Sequence, residues 1–354
     1  MKILIIALSG IGDALMFSPA LQLLRQQYPQ AQIDLLSMFK GVQDIYKTHP
    51  ALTNIFHWDF LHRSPLSSLS YIFSLRKKKY DISISVYPQN RWEYNVISYF
   101  IGAPTRLGHE YQHWNKRSLY FLNNRRIKEN NQFHNVEENI ELVKMLDVPS
   151  PEQYPPLQIF LTEEEKQNAQ QWFKQKFINT KNTVIGFHAG SALLKNHVHR
   201  RWFPEKFAEL GKNLIEKHQA TILLFGGPEE YELNNKIFSL IENKNVYIVQ
   251  TQSLRETVGI MSQCSIMVSN DSGLMHVAAA LQIPTIAIFA YTNPTFVHPW
   301  KTKYNIVRKE LECSPCFYYS PKPATCQWQT DKFHCNNIEV EQVYNAVKKM
   351  IEEV

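Results

Sequence analysis

Twice along this 354-residue chain, short apolar runs rich in β-branched residues alternate with amphipathic stretches. Such alternation is the pattern of a parallel sheet covered by helices on both faces. In the first series the spacing predicts strands over 2–8, 32–37 and 81–86, with helices over 13–28, 42–47, 92–100 and 136–146. Asp147 to Pro156 holds four prolines in ten residues, cannot continue a helix and reads as a linker. After a bridging helix over 163–177 the pattern begins again. Strands are expected at 182–188, 221–225, 246–249, 265–269 and 285–289, with helices over 204–217, 229–241, 254–261 and 274–281. A single core stops growing at roughly 250 to 300 residues, so two domains are expected. The expected α/β architecture is two Rossmann-like domains, 1–156 and 157–335, with parallel sheets facing across a cleft and a final helix over 336–354 returning toward the first domain.

Several classes fall away on composition. The chain is 44% hydrophobic and 20% charged, and no run of 18 apolar residues could cross a membrane. Lys2 followed by Ile3 to Leu8 imitates a secretory signal, but Gly10, Gly12 and Asp13 interrupt it, so the segment reads as a first strand and loop of a cytoplasmic protein. A net charge of +6 suits an acidic partner, and the runs Arg76 to Lys79 and Arg125 to Lys128 supply local positive surface. Either these runs are solvated helix ends and loops, or they meet an anionic membrane face or a phosphorylated glycolipid. Nucleic acid is disfavoured: the charge is modest and the aromatic residues are scattered rather than interleaved with the basic runs.

In open α/β sheets ligands sit outside the carboxyl ends of the strands, and four such loops carry unusual residues. Val268-Ser-Asn-Asp-Ser-Gly273 runs from a buried strand into a helix whose first turn, at Ser272 and Gly273, has unpaired N–H groups and the positive end of the helix dipole. A phosphate is stabilised there, with Asp271 and His276 beside it, although Asp and Ser are also common helix caps. Ser9-Gly-Ile-Gly-Asp13 lacks the third glycine of a dinucleotide loop, the position being Leu15. Asp13 is either a helix-end carboxylate or a base that takes a proton from an incoming hydroxyl. His188-Ala-Gly-Ser191 leads into Lys195, His197, His199, Arg200 and Arg201, cations that can neutralise a diphosphate. A metal site on His197 and His199 has only a two-residue spacing behind it. Phe225-Gly-Gly-Pro-Glu-Glu230 lets a ligand approach the backbone, with Glu230 able to accept hydrogen bonds from ribose hydroxyls, or is a plain turn into a helix.

Together these loops resemble the heptosyltransferase family, GT-B glycosyltransferases that build the inner core of lipopolysaccharide. The resemblance rests on Gly12-Asp13 followed by Ser18-Pro-Ala-Leu21, on the basic-Trp-Phe-Pro204 segment, and above all on Asp271-Ser-Gly-x-x-His276 followed by Ala278-Ala-Ala-Leu281. Arg106-Leu-Gly108 and His134-Asn-Val136 look like first-domain landmarks of the same family. It implies an inverting, metal-independent transfer of a sugar, most commonly heptose from ADP-heptose, onto a lipopolysaccharide core or other anionic glycolipid at the inner membrane. By the resemblance Asp13 is the general base. Ser191, Lys195, Arg200, Arg201, Ser272 and Gly273 hold the donor phosphates, Glu230 the ribose, and Asp271 with His276 borders the donor sugar or its phosphates. Gly12, Asn90, Arg91 and His134 would meet the acceptor. Two arginines and an inserted Phe stand where the family often has a lysine before Trp-Pro, which leaves open which of Arg200 and Arg201 contacts the diphosphate. Its rivals are an enzyme of the same fold acting on protein serines and an inactive nucleotide-binding homologue.

Four of five cysteines fall at Cys313-x2-Cys316-x9-Cys326-x8-Cys335, a spacing that can supply four thiolates to a structural zinc or iron. A protein-glycosylating branch of the family is similar in holding iron through such residues. The alternative is free thiols in a looped tail.

Overall fold

The structure, a computed structural model, describes residues 1–113, 116–179, 182–192, 194–317, 319, 325–326 and 334–353, with the side chains of 194–196 outside the description. The chain divides into two compact units, Met1–Phe160 together with Tyr319, and Leu161–Phe317 together with the rest of the tail.

The first unit runs β1 (Lys2–Ala7), α1 (Ile11–Leu15), α2 (Ser18–Gln27), β2 (Gln32–Ser37), α3 (Lys40–Tyr46), β3 (Asn54–His57), α4 (Pro65–Arg76), β4 (Ile82–Ser85), α5 (Trp92–Ile101), β5 (Thr105–Glu110), β6 (Arg125–Lys128) and α6 (Asn135–Lys144). Its six strands are parallel in the order β3-β2-β1-β4-β5-β6. The chain thus starts in the middle, walks to one edge and then to the other, and the order reverses between β1 and β4. Right-handed crossovers place α1 to α3 on one face and α4 with α5 on the other. Under α4 and α5, Leu4, Ile6, Leu36, Ile72, Leu75 and Ile97 form a buried cluster.

The helix expected over 13–28 is two helices, and the reason is local. Pro19 has no N–H to offer the Leu15 carbonyl four residues back. The Ser18 hydroxyl donates to that carbonyl instead, at 2.8 Å, and the chain turns between α1 and α2. Strands β3, β5 and β6 escaped the sequence reading because they lie at or near sheet edges. Asn-Ile-Phe-His and Arg-Arg-Ile-Lys lack the continuous apolar run of a central strand, and part of what read as a basic loop is β6.

The second unit runs α7 (Glu163–Gln175), β7 (Val184–His188), α8 (Pro204–His218), β8 (Thr221–Leu224), α9 (Tyr231–Ile241), β9 (Val246–Ile248), α10 (Leu254–Met261), β10 (Ile266–Asn270), α11 (Gly273–Ala280), β11 (Thr285–Phe289), α12 (Pro294–Val297), β12 (Tyr304–Arg308) and α13 (Val340–Glu353). This sheet is also parallel, ordered β12-β11-β10-β7-β8-β9, and it reverses between β7 and β10. Strand β12 is a further edge strand that sequence pattern missed. Val343, Val347 and Met350 of α13 join the core of the second unit with Leu214 and Ile286, so its apolar stripe is buried there.

Candidate functional site

Both units place their unusual loops at the point where strand order reverses, which is where α/β sheets open a crevice for ligands. In the second unit the loops after β7, β8 and β10, three neighbouring strands, meet there. Asn270 at the end of β10 ties them together. Its Nδ2 donates to the Ala189 carbonyl at 2.7 Å, and its Oδ1 accepts from the Trp202 N–H at 3.1 Å. Fully buried, Asn270 fixes the His188–Arg201 loop against the phosphate-type turn, a role the sequence reading did not give it. Trp202 is itself buried, donates its indole N–H to the Ile338 carbonyl, and packs on Phe207.

The two arginines separate. Arg200 Nη1 lies 3.0 Å from Asp271 Oδ2, and its guanidinium stands 5.6 Å from the Tyr291 ring and 5.0 Å from the Phe317 ring. Burial pushes the Tyr291 hydroxyl up to about 12, with the Arg200 charge opposing. Arg201 faces elsewhere: its Nη2 donates to the Ser191 carbonyl at 2.7 Å and lies 3.7 Å from Glu230 Oε1. Ser191 in turn donates its hydroxyl to the His197 carbonyl at 2.8 Å, which holds the loop closed on itself. Lys195, named with these residues from sequence, has its side chain outside the described part.

Glu230 is clamped from three sides. Its Oε2 accepts the Gly227 N–H at 2.9 Å, its Oε1 lies 3.9 Å from His188 Nε2, and Arg201 approaches the same oxygen. Gly190 is required by this packing, because a Cβ there would stand 1.6 Å from Glu230 Oε1.

At the Asp271–Gly273 turn, Ser272 is the N-cap of α11, yet its side chain makes no capping bond, so the first-turn N–H groups are not covered from that side. One turn on, His276 is buried and its Nδ1 has no hydrogen-bond partner among the described residues. Burial lowers the imidazole to about 4, against the pull of Asp271, so the ring is neutral near pH 7. A buried ring nitrogen without a protein partner among the described residues, one turn from a helix N-terminus that its N-cap side chain leaves uncapped, is open to a hydrogen bond with water or a ligand.

In the first unit the reversal lies between β1 and β4. The Ser9 hydroxyl donates to the Pro88 carbonyl at 2.7 Å and Gln89 Nε2 to the Ile6 carbonyl at 3.0 Å, joining the loops that carry Gly12 and Asp13 on one side and Asn90 and Arg91 on the other. Asp13 stands in the first turn of α1, partly exposed. Burial raises the Tyr94 hydroxyl, Arg91 opposes, and the charges of Glu93 and Asp13 add to the rise. Asn90 is buried and donates to the Tyr319 carbonyl at 2.5 Å. His134 caps α6: its Nδ1 accepts the Val136 N–H at 3.1 Å while Glu137 accepts the His134 N–H at 2.7 Å. That reciprocal box gives His134 a structural reason for being where it is.

The family model described as glycosyltransferase family 9 (heptosyltransferase) matches residues 69–324. The chain belongs to glycosyltransferase family 9. It is 32% identical over 323 residues to lipooligosaccharide heptosyltransferase 2 of Haemophilus ducreyi, covering 87% of this chain and 88% of that one. Among solved structures, the Escherichia coli ADP-heptose lps heptosyltransferase II superposes with a TM-score of 0.76 at 24% identity, over 100% of this chain and 99% of that one. E. coli heptosyltransferase WaaC, solved with ADP-2-deoxy-2-fluoro heptose, gives a TM-score of 0.71 at 23% identity, over 100% and 99%. These likenesses show the GT-B fold expected from the sequence, and membership of the family makes the chain a transferase.

The four tail cysteines are all free and, with His334 and Tyr291, line one cavity of about 430 Å³. Burial pushes Cys335 up to about 11, and the neighbouring Cys316, Cys326 and Cys313 affect it further. Among the described residues no three His, Cys, Asp or Glu side chains are gathered closely enough to hold a metal ion, His197 and His199 included.

Proposed function

We propose that this enzyme transfers heptose from ADP-heptose to the inner core of a lipopolysaccharide at the cytoplasmic face of the inner membrane, with inversion at the anomeric carbon. One observation carries the donor assignment: the uncovered N-terminus of α11, Arg200 and the unpaired His276 converge at the reversal point of the second sheet. Arg200 and the α11 N–H groups stabilise the departing diphosphate, whose charge grows in the transition state. Arg201 acts one step back by holding Ser191 and Glu230, and Glu230 receives the ribose hydroxyls. Asp271, now paired with Arg200, hands that cation to the phosphates when the nucleotide binds and stays with His276 at the donor sugar. Asp13 takes the proton from the acceptor hydroxyl, with Gly12, Asn90, Arg91 and His134 shaping the acceptor side. The names of the relatives support a lipopolysaccharide-type acceptor over protein serines.

A thermal-shift comparison of ADP, UDP and GDP tests the donor. Stabilisation by ADP above the other two is the expected result. A clear UDP preference replaces heptose by a hexose or hexosamine.

For the tail, the four thiols share one cavity but are not gathered as a metal site among the described residues, which supports free thiols, with a structural zinc or iron on Cys313, Cys316, Cys326 and Cys335 as the alternative. Metal analysis of freshly purified protein decides this. Absence of stoichiometric zinc and iron leaves the four as free thiols.

A further inference from the structure

Several of the large apolar side chains that remain exposed in the first unit lie on the neighbouring elements α4 and α5 and the 3₁₀ turn beside α5. Leu66, Leu69 and Phe73 of α4 are 81%, 39% and 42% exposed, and their spacing puts them on one stripe of the helix. Neighbouring α5 adds Tyr99 and Phe100, and the 3₁₀ turn Tyr120–Leu122 beside it adds Phe121, which is 56% exposed. The inner side of α4 is already used, since Ile72 and Leu75 are buried in the core. The outer stripe is thus left partly open, Leu66 most of all.

Along α4 and its flanks the charge has one sign. From Phe60 to Tyr80 there is no Asp or Glu, while Arg63, Arg76, Lys77, Lys78 and Lys79 supply five positive charges. Single cations stand over rings here: Arg63 lies 5.4 Å over Trp58 and Arg106 5.4 Å over Tyr99, while Arg126, 5.4 Å over Tyr120, also pairs with Glu110 at 3.0 Å. Arg76 donates to the Phe100 carbonyl at 3.2 Å and so joins the ends of α4 and α5. Aromatic and aliphatic side chains that seat in the headgroup region, ringed by Lys and Arg that meet lipid phosphates, are the chemistry of a peripheral membrane surface.

We infer that the outer face of α4 and α5 is the surface by which this enzyme docks on an anionic phospholipid bilayer, with Leu66, Leu69 and Phe73 entering the headgroup layer and Arg63 and Arg76 to Lys79 pairing with lipid phosphates. The inference rests on the proposed glycolipid acceptor for the choice of a membrane as occupant. The charge and apolar pattern argue the rest. It also gives the basic run at the end of α4 a use beyond a solvated helix end.

Co-sedimentation of the full chain with vesicles tests it without any need for turnover. Binding is expected to vesicles of equal parts phosphatidylcholine and phosphatidylglycerol, with little to phosphatidylcholine alone. Replacing Leu66, Leu69 and Phe73 together by Ser is expected to weaken partitioning roughly tenfold or more. Replacing Lys77, Lys78 and Lys79 by Gln should remove most of the preference for the anionic vesicles. Transfer to a soluble, delipidated core acceptor should be unchanged in both variants, which separates a failure of the surface from a failure of the proposed reaction. No binding by the parent chain overturns the inference, as does binding that survives the triple Ser change. A parent that is dimeric in solution, becomes monomeric with the Ser changes and never pellets with vesicles also overturns it, by making the face a contact between copies.

Discussion

Arg200 and Asp271 form a 3.0 Å ion pair at the mouth of the β10–α11 turn, with both side chains largely withdrawn from solvent. Deleting one member of a buried pair leaves an uncompensated charge behind. Arg201, one residue on, makes its bonds to a backbone carbonyl and to Glu230. The neighbours therefore have separable duties.

Arg200→Ala is expected to lower kcat/KM roughly 100- to 1000-fold, the scale of removing one donor from a charge-stabilising site. Arg201→Ala should act mainly on KM for the donor, because Glu230 and the Ser191 loop lose their anchor while the diphosphate contact remains. Steady-state kinetics with varied donor concentration reads the split. Equal effects of the two substitutions on kcat contradict the division.

Asp13→Asn keeps the size and hydrogen-bonding shape of the side chain but removes its basicity. General-base catalysis is worth roughly 100- to 10,000-fold, and a loss in kcat of that order is expected with ADP affinity nearly unchanged. Calorimetric titration of ADP beside a turnover assay distinguishes the outcomes. Unchanged turnover removes Asp13 from the role.

Most residues of this candidate site stand out in the sequence because they sit in loops with constrained composition. Asp271, Ser272, Gly273 and His276 stand out where an apolar strand gives way to a helix, and Glu230 follows a pair of glycines. Asn270 was hidden by its place inside the strand, where a polar residue next to an Asp reads as part of the turn. Its two bonds to Ala189 and Trp202 connect residues 81 and 68 positions away, and no local pattern encodes that. The sheet edges were hidden for the opposite reason: β6 and β3 bury too little to need apolar runs. For α13 the periodicity announced a buried stripe without saying against what.

Acid should destabilise the fold through two buried imidazoles. His276 and His49 are each lowered to about 4 by burial, and an unfolded histidine titrates near 6.5. The unfolded chain therefore takes up protons first as pH falls. The stability is fully present above about 6.5 and is lost on the way down toward 4, on the order of 2 kcal/mol per residue by pH 5. Urea unfolding at pH 7 and pH 5 measures the loss. His49→Asn keeps an acceptor for the Ala51 N–H, which His49 Nδ1 now accepts at 3.2 Å, and removes the titration. The drop between the two pH values should shrink in that variant, and an unchanged drop rules His49 out as a source.

Gly190→Ala tests the ribose side of the site by steric means. The added methyl would fall 1.6 Å from Glu230 Oε1, so the carboxylate must leave its bond with the Gly227 N–H and its place between His188 and Arg201. ADP affinity is expected to fall roughly tenfold, about 1.4 kcal/mol, the scale of a charge-assisted bond to a hydroxyl. The cause is separable from general damage by a double-mutant cycle. If the methyl acts through Glu230, Gly190→Ala should cost little further affinity in a Glu230→Ala background, because the displaced group is already gone. Additive losses in the cycle mean that the methyl acts independently of Glu230, and no loss from Glu230→Ala alone removes Glu230 from the ribose.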